Sequence, residues 1–266
     1  MNQDLRQDFH SGLDEVRSDI ARLGAYIVEL IPRVTEILFQ QDLEGASYVL
    51  RADVDVDERT TAIEERALTM LALQAPVAGD LRQVAAALRL APEIERSGDL
   101  CCNIAKAARR LYGRELHPKL RGGIQRMSDQ AQKEYREAVE AYVNVDATRA
   151  AAIGDMDELL DQIHREFIAQ IFETHAGSAI DLQVAIQLAL IGRFYERLGD
   201  HAVNISKRIV YIATGWVPEH VPDDRQRAQA AVEARAAEVA AATGADEPRV
   251  DEPGVDEPGT GESGAE

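Results

Sequence analysis

The chain carries ERSGDLCCN at residues 95–103 and ERLGDHAVN at residues 196–204, 101 positions later. Each copy reads E-R-x-G-D-x-x-x-N, and each continues into Ile-x-Lys. A pattern of this length, repeated with the same order of charged, glycine and amide residues, indicates an internal duplication. The fold is therefore expected to contain two copies of one unit.

Apolar residues in the first forty positions recur at intervals of three and four, which is typical of an amphipathic helix. They are Leu13, Val16, Ile20, Leu23, Ile27, Leu30, Ile31, Val34, Ile37 and Leu38. The same spacing continues through most of the body of the chain. It predicts six long helices, at residues 8–40, 44–74, 78–112, 118–143, 146–175 and 178–214.

The repeat extends upstream of the nine-residue blocks. Asp80-Leu81 matches Asp181-Leu182 at the same offset of 101, and residues 55–58 resemble residues 155–158 at an offset of 100. The difference of one residue is expected to lie in a turn between helices, where insertions cost little.

Long helices that are joined by short turns pack antiparallel. We therefore predict an all-α fold of two tandem antiparallel three-helix bundles. The predicted domains are residues 1–113 for the first bundle and 114–216 for the second.

The composition changes after Trp216. Residues 217–266 contain 13 Asp and Glu but only 4 Arg, and repeat Asp-Glu-Pro three times. Such a segment has little apolar surface to bury, so we predict a disordered acidic C-terminal tail. A solubilising role is the simpler interpretation, and an electrostatic attraction for a basic partner is the alternative.

The net charge of the chain is −18 at pH 7. Phosphate backbones would be repelled by this charge, which argues against nucleic acid as a partner and suits cations or a basic protein surface. The polar N-terminus does not resemble a signal peptide, and no apolar run is long enough to predict direct membrane insertion. Two adjacent cysteines make no disulfide framework, so the predicted location is cytoplasmic.

The repeated block places Glu95, Asp99 and Asn103 at i, i+4 and i+8. On a helix these positions share one face, with successive side chains about 40° apart and about 6 Å apart along the axis. Neighbouring carboxylates repel, so water, an arginine or a cation must offset the repulsion. Carboxylate and amide oxygens are ligands for hard metal ions.

The second copy repeats this arrangement, and aspartates on the preceding helices are placed to add oxygens across a helix interface. The predicted metal ligands are Glu95, Asp99, Asn103, Glu196, Asp200, Asn204, Asp57, Asp157 and Asp161.

A glycine precedes the aspartate in each block, at Gly98 and Gly199. Glycine inside a helix costs about 1 kcal/mol relative to alanine. The same cost at matching places suggests the close approach of a neighbouring helix or a bound ion, although common descent of the two copies also explains it.

The blocks at residues 95–106 and 196–207 resemble the E(D)-x-x-x-D metal-binding motif of the PhoU family of bacterial phosphate-signalling regulators. The resemblance covers about residues 5–215, and the tail lies outside it. It implies two three-helix bundles whose acidic faces bind metal ions, as multinuclear iron or zinc clusters. Manganese, magnesium and nickel are also compatible with the ligand set.

The resemblance also implies a cytoplasmic, non-enzymatic negative regulator of phosphate signalling and phosphate uptake, the Pho regulon. Its expected partners are the ATPase subunit of a phosphate ABC transporter, PstB-like, and a membrane sensor histidine kinase, PhoR-like. A homodimer is expected as well.

Two other functions stay open at this point, a di-metal carboxylate enzyme and a purely structural bundle. Ferritin-like di-iron sites use Glu-x-x-His pairs, and neither His164 nor His175 has a Glu three residues earlier. The pair Cys101-Cys102 is replaced by Ala-Val in the second block, which favours buried packing over thiol chemistry. His201 is replaced by Leu100 in the first block, so metal ligation by His201 is the less favoured interpretation.

Overall fold

A computed structural model describes residues 2–216 of the chain. The tail predicted to be disordered, residues 217–266, lies outside the described residues. Over the described part, the fold consists of six α-helices connected by short loops. Their bounds are α1 Asn2–Gln40, α2 Leu43–Gln74, α3 Ala78–Arg110, α4 Pro118–Asn144, α5 Ala147–Ala176 and α6 Leu182–Thr214.

Aspartates begin three of the helices. The side chains of Asp42, Asp146 and Asp181 each accept a hydrogen bond from a backbone N–H in the first turn of α2, α5 and α6. These bonds satisfy donors that a helix start leaves unpaired. Gly215 ends α6 with φ of 79°, a left-handed conformation that glycine adopts without steric cost.

Two predicted boundaries differ from the structure by more than two residues. Helix α1 begins at Asn2, well before residue 8. Helix α6 begins at Leu182 and not at residue 178, because Asp181 supplies the capping carboxylate. Gly177 terminates α5, and its N–H donates a hydrogen bond to the Glu173 carbonyl of that helix.

The three helices of each unit contact one another, and the two units meet through α3 against α6 and α1 against α4. Buried aliphatic side chains from all six helices form one continuous core. The all-α class and the tandem pair of three-helix units are thus confirmed. The exact domain bounds stay a prediction, and the predicted division falls in the loop between α3 and α4.

Buried hydroxyl groups connect the helices where the two units meet. Thr35 on α1 lies 2.7 Å from the Ser128 hydroxyl and 2.6 Å from the Tyr195 hydroxyl. Tyr135 on α4 donates to the Ser97 hydroxyl on α3 at 2.8 Å. These bonds satisfy polar groups that would be costly to bury alone, and they fix the position of one unit on the other.

The structure corrects the alignment of the two copies upstream of the repeated blocks. The caps Asp42 and Asp146 are 104 positions apart. Asp53 lies beside Gly98 as Asp157 lies beside Gly199, again 104 positions apart. The offset therefore falls from 104 to 101 between the second and third helix of each unit. The one-residue difference that was inferred from residues 55–58 and 155–158 was wrong.

Among the helices that the structure describes, none combines the length and the apolar character needed to cross a bilayer.

Candidate functional site

The first acidic face lies on α3 with contributions from α2. Asp99 and Asp57 are exposed, and Glu95 and Asp53 are half-buried. Burial raises the pKa of Glu95, and the negative charges of Asp99, Asp57 and Asp53 raise it further. The structure thus brings the predicted Glu95, Asp99 and Asp57 together, and adds Asp53.

Gly98 sits at the base of the first face. A methyl group placed on it would lie 3.6 Å from Ile27 and Val56 and 3.9 Å from an oxygen of Asp53. These are ordinary van der Waals distances. The contacts therefore leave room for alanine, and the first face does not require glycine at this position.

The second acidic face lies on α6 with contributions from α5. Burial and then the charge of Asp200 raise the pKa of Glu196. Burial, followed by the charges of Asp161, Asp200 and Glu196, raises the pKa of Asp157 to about 6. The four predicted carboxylates of this copy are therefore close enough to repel one another.

Glu134 on α4 is an additional carboxylate at the second face. Its side chain is fully buried, with 0% exposure. Burial raises its pKa to about 8. A hydrogen bond from Gln130 lowers the pKa in part, and the negative charges of Asp157 and Asp161 raise it. That bond runs from the Gln130 amide to Oε1 at 2.8 Å.

Gly199 is in close contact with this group. A methyl group on Gly199 would lie 2.3 Å from Oδ1 of Asp157, 2.7 Å from Leu160 and 2.9 Å from Oε2 of Glu134. No side chain tolerates such contacts without displacing its neighbours. The glycine therefore lets two carboxylates from α4 and α5 approach the backbone of α6.

Three buried carboxylate oxygens at the second face lack a hydrogen-bond partner. They are Oε2 of Glu134, Oδ1 of Asp157 and Oε2 of Glu196. A buried charge without a partner is strongly unfavourable, so protonation or a bound cation must neutralise it. By their oxygen donors and their burial, these residues fit a hard cation.

Within residues 2–216, no three His, Cys, Asp or Glu side chains are already arranged as a group that could hold a metal ion. Cation binding at either face would therefore require carboxylate side chains to rotate towards one another. The metal assignments consequently stay predictions.

The two predicted amide ligands make other contacts. Asn103 accepts a hydrogen bond from Lys106 at 3.3 Å. Asn204 donates to Oε2 of Glu93, on α3 of the other unit, at 3.3 Å. Nδ1 of His201 lies 2.7 Å from the same carboxylate oxygen.

Glu93 therefore connects the two units beside the second face. Burial alone would raise its pKa, but the hydrogen bond and charge of His201, with the bond from Asn204, outweigh burial and lower it. The carboxylate is stable in its charged form at this interface. His201 thus has a partner other than a metal.

The two cysteines are buried, as predicted. Cys101 and Cys102 have 0% exposure and belong to the hydrophobic core. Burial raises the pKa of each thiol, so neither is a reactive thiolate.

Sequence reasoning missed Glu134 and Asp53. A signal for Glu134 was present, because it continues the three-and-four spacing of Ile124, Met127 and Ala131 on the buried side of α4. A glutamate at a core position is unusual, since a buried charge needs a partner. Asp53 precedes the predicted ligand Asp57 by four residues, and the wrong alignment concealed it.

The chain is similar to known proteins over both units. A family model described as the PhoU domain matches residues 20–108 and 124–209. The phosphate-specific transport system accessory protein PhoU homolog 1 of Mycobacterium leprae (strain TN) is 32% identical over 224 residues, which cover 83% of this chain and 100% of that protein.

Solved structures show the same architecture. The phosphate transport system regulatory protein PhoU from Streptococcus pneumoniae matches with a TM-score of 0.73 and 25% identity, over 80% of this chain and 100% of that chain. PhoU from Pseudomonas aeruginosa matches with a TM-score of 0.74 and 24% identity, over 78% and 100% respectively. At 24% identity, the similarity to the Pseudomonas aeruginosa structure supports the fold alone.

Proposed function

The chain belongs to the PhoU family, and on that premise we propose that it is a negative regulator of phosphate signalling and phosphate uptake. A role in regulating phosphate transport as a non-enzymatic accessory protein follows from membership of this family. In this role we propose that the chain acts as an adaptor. It bridges the ATPase subunit of a phosphate ABC transporter and a membrane sensor histidine kinase from the cytoplasmic side.

The observation that carries the proposal is the duplicated acidic face within a family of transport regulators. Each face gathers carboxylates from at least two helices of its unit, and burial raises the pKa of Glu95 and Glu196 at their centres. Carboxylates held in this way favour bound cations, which we propose as structural or tuning elements. The net charge of −18 suits docking to basic surfaces of protein partners.

Regulation in this proposal is a coupling free energy between two binding partners and involves no chemical step. When phosphate is plentiful, the protein holds the kinase in its non-phosphorylating state and restrains the transporter. A homodimer is part of the proposal, and its test is the mass of the purified chain by light scattering.

The test of the adaptor role is co-purification from phosphate-rich and phosphate-starved cells. The tagged full-length chain is expected to retain both the transporter ATPase and the kinase when phosphate is plentiful. The variant Asp99→Asn with Asp200→Asn serves as a comparison, because it removes one charge from each face. Association with neither partner in either condition would contradict the proposal.

A further inference from the structure

The two acidic faces are not equivalent in their interiors. At the first face, the α1 residue nearest to Gly98 is the apolar Ile27. At the second face, the α4 residue nearest to Gly199 is Glu134, a carboxylate. The duplication therefore kept the acids of both blocks but placed a fully buried acid behind one block only.

Only one of the two carboxylate oxygens of Glu134 has a hydrogen-bond partner. The Gln130 amide donates to Oε1, and Oε2 is buried without a hydrogen-bond partner. An uncompensated carboxylate in a core is costly, and replacing it with an apolar side chain is often neutral or stabilising. At a fully buried position, this carboxylate needs a proton or a bound cation to neutralise it.

The free oxygen of Glu134 is directed at the other acids of the second face. Oε2 of Glu134 and Oδ1 of Asp157 lie 2.9 Å and 2.3 Å from the same point, the place of a methyl group on Gly199. Both oxygens lack a partner, as does Oε2 of Glu196 one turn away on α6. Within the described residues, the unpartnered buried carboxylate oxygens all belong to this face.

We propose that Glu134 is an interior ligand of a divalent hard-cation site at the second face, which therefore binds its ion more tightly than the first face does. The site draws on three helices, with Glu134 from α4, Asp157 from α5 and Glu196 from α6. Oxygen donors without thiolate select ions such as Mn²⁺, Mg²⁺ or Fe²⁺. This inference rests on the proposed cation-binding role of the acidic faces and assigns a new residue to it.

The experiment is a titration of the chelator-treated, full-length chain with Mn²⁺, followed by calorimetry and by electron paramagnetic resonance of free Mn²⁺. Glu134→Gln keeps the size and hydrogen-bonding capacity of the side chain and removes its charge. Glu137→Gln, one turn further along α4, is the matched control, because Glu137 is paired with Arg149 on the surface.

The tightest Mn²⁺ affinity is expected to fall at least tenfold in Glu134→Gln and to stay unchanged in Glu137→Gln. Glu134→Asp, which withdraws the carboxylate but keeps the charge, is expected to weaken binding as well and covers the case in which the glutamine variant does not fold. Asp99→Asn at the first face should leave the Mn²⁺ affinity of the tightest site unchanged.

Two results would overturn the inference in different ways. Unchanged tight binding in Glu134→Gln and Glu134→Asp, together with its loss in Asp200→Asn, would remove Glu134 from the site and leave the cation-binding role standing. Absence of Mn²⁺ binding to the wild-type chain would overturn this inference and the cation-binding part of the proposed function together. The adaptor role is tested separately by co-purification.

Discussion

Gly199 and Gly98 hold matching places in the two blocks but have different surroundings. A methyl group on Gly199 would lie 2.3 Å from Asp157, whereas one on Gly98 would have no contact shorter than 3.6 Å. The sequence gives both glycines the same prediction, because it does not show what faces them. Only the second glycine is required by the close approach of neighbouring side chains.

Substitution by alanine should therefore have opposite effects at these two positions. Gly98→Ala is expected to stabilise the fold by up to about 1 kcal/mol, because alanine favours the helix. Gly199→Ala is expected to destabilise it by roughly 1–3 kcal/mol, because the new methyl group overpacks the site. Urea unfolding of the two variants measures the difference. Equal stability of the two variants would show that the contacts at Gly199 are not restrictive.

Glu134 should make the stability of the metal-free protein depend on pH. Its pKa is raised from an ordinary value of 4.5 to about 8 in the folded chain. Between these values the folded state holds a proton that the unfolded chain has released. Stability from this group is therefore greatest below pH 4.5 and is lost as the pH rises through about 8.

The measurement is urea unfolding of the chelator-treated wild type and of Glu134→Gln across the range from about pH 5 to pH 9. The glutamine variant cannot lose this proton, so the stability of the wild type relative to the variant should decline as the pH rises. A difference that is independent of pH would contradict a raised pKa at Glu134.

At the scale of the helices, periodicity predicted the elements well because α1, α4 and α6 each bury one continuous apolar side. All six helices were placed, and most ends fell within two residues of the structure. The start of α6 was missed because capping depends on which polar side chain reaches the first N–H groups. In α6 the Asp181 side chain does so, by accepting from the Val184 N–H.

Contacts between helices were beyond the reach of the sequence. The bond between Glu93 and His201 joins residues 108 positions apart on α3 and α6, and neither residue has a matching partner in the other copy. Nothing in one sequence indicates such a pair. Glu93 also accepts a hydrogen bond from the amide of Asn204, a residue that the helical spacing placed on the acidic face.

This pair should contribute measurably to the connection between the two units. Hydrogen bonds to charged groups contribute about 1.5–3 kcal/mol. We expect a coupling energy of about this size between Glu93→Ala and His201→Ala in a double-mutant cycle, measured by urea unfolding. Additive effects of the two substitutions would show that the contact does not stabilise the α3–α6 interface.

At the scale of the whole molecule, the fold contains two copies of one unit, but the residues behind the two acidic faces differ. Both units present an exposed carboxylate face, as the blocks predicted. Behind the second face, the α4 residue nearest to Gly199 is Glu134, whereas behind the first face the α1 residue nearest to Gly98 is Ile27. The duplicated pattern predicted the common part of the candidate site, and differences outside the pattern required the structure.

We propose that the two acidic faces bind metal ions in this regulator of phosphate transport. Elemental analysis of the full-length chain, purified without added metal, should compare the wild type with the double variant Asp99→Asn, Asp200→Asn. Bound metal is expected in the wild type and a clear loss of metal in the double variant, with an unchanged helical circular dichroism spectrum. The same metal content in both proteins would contradict it.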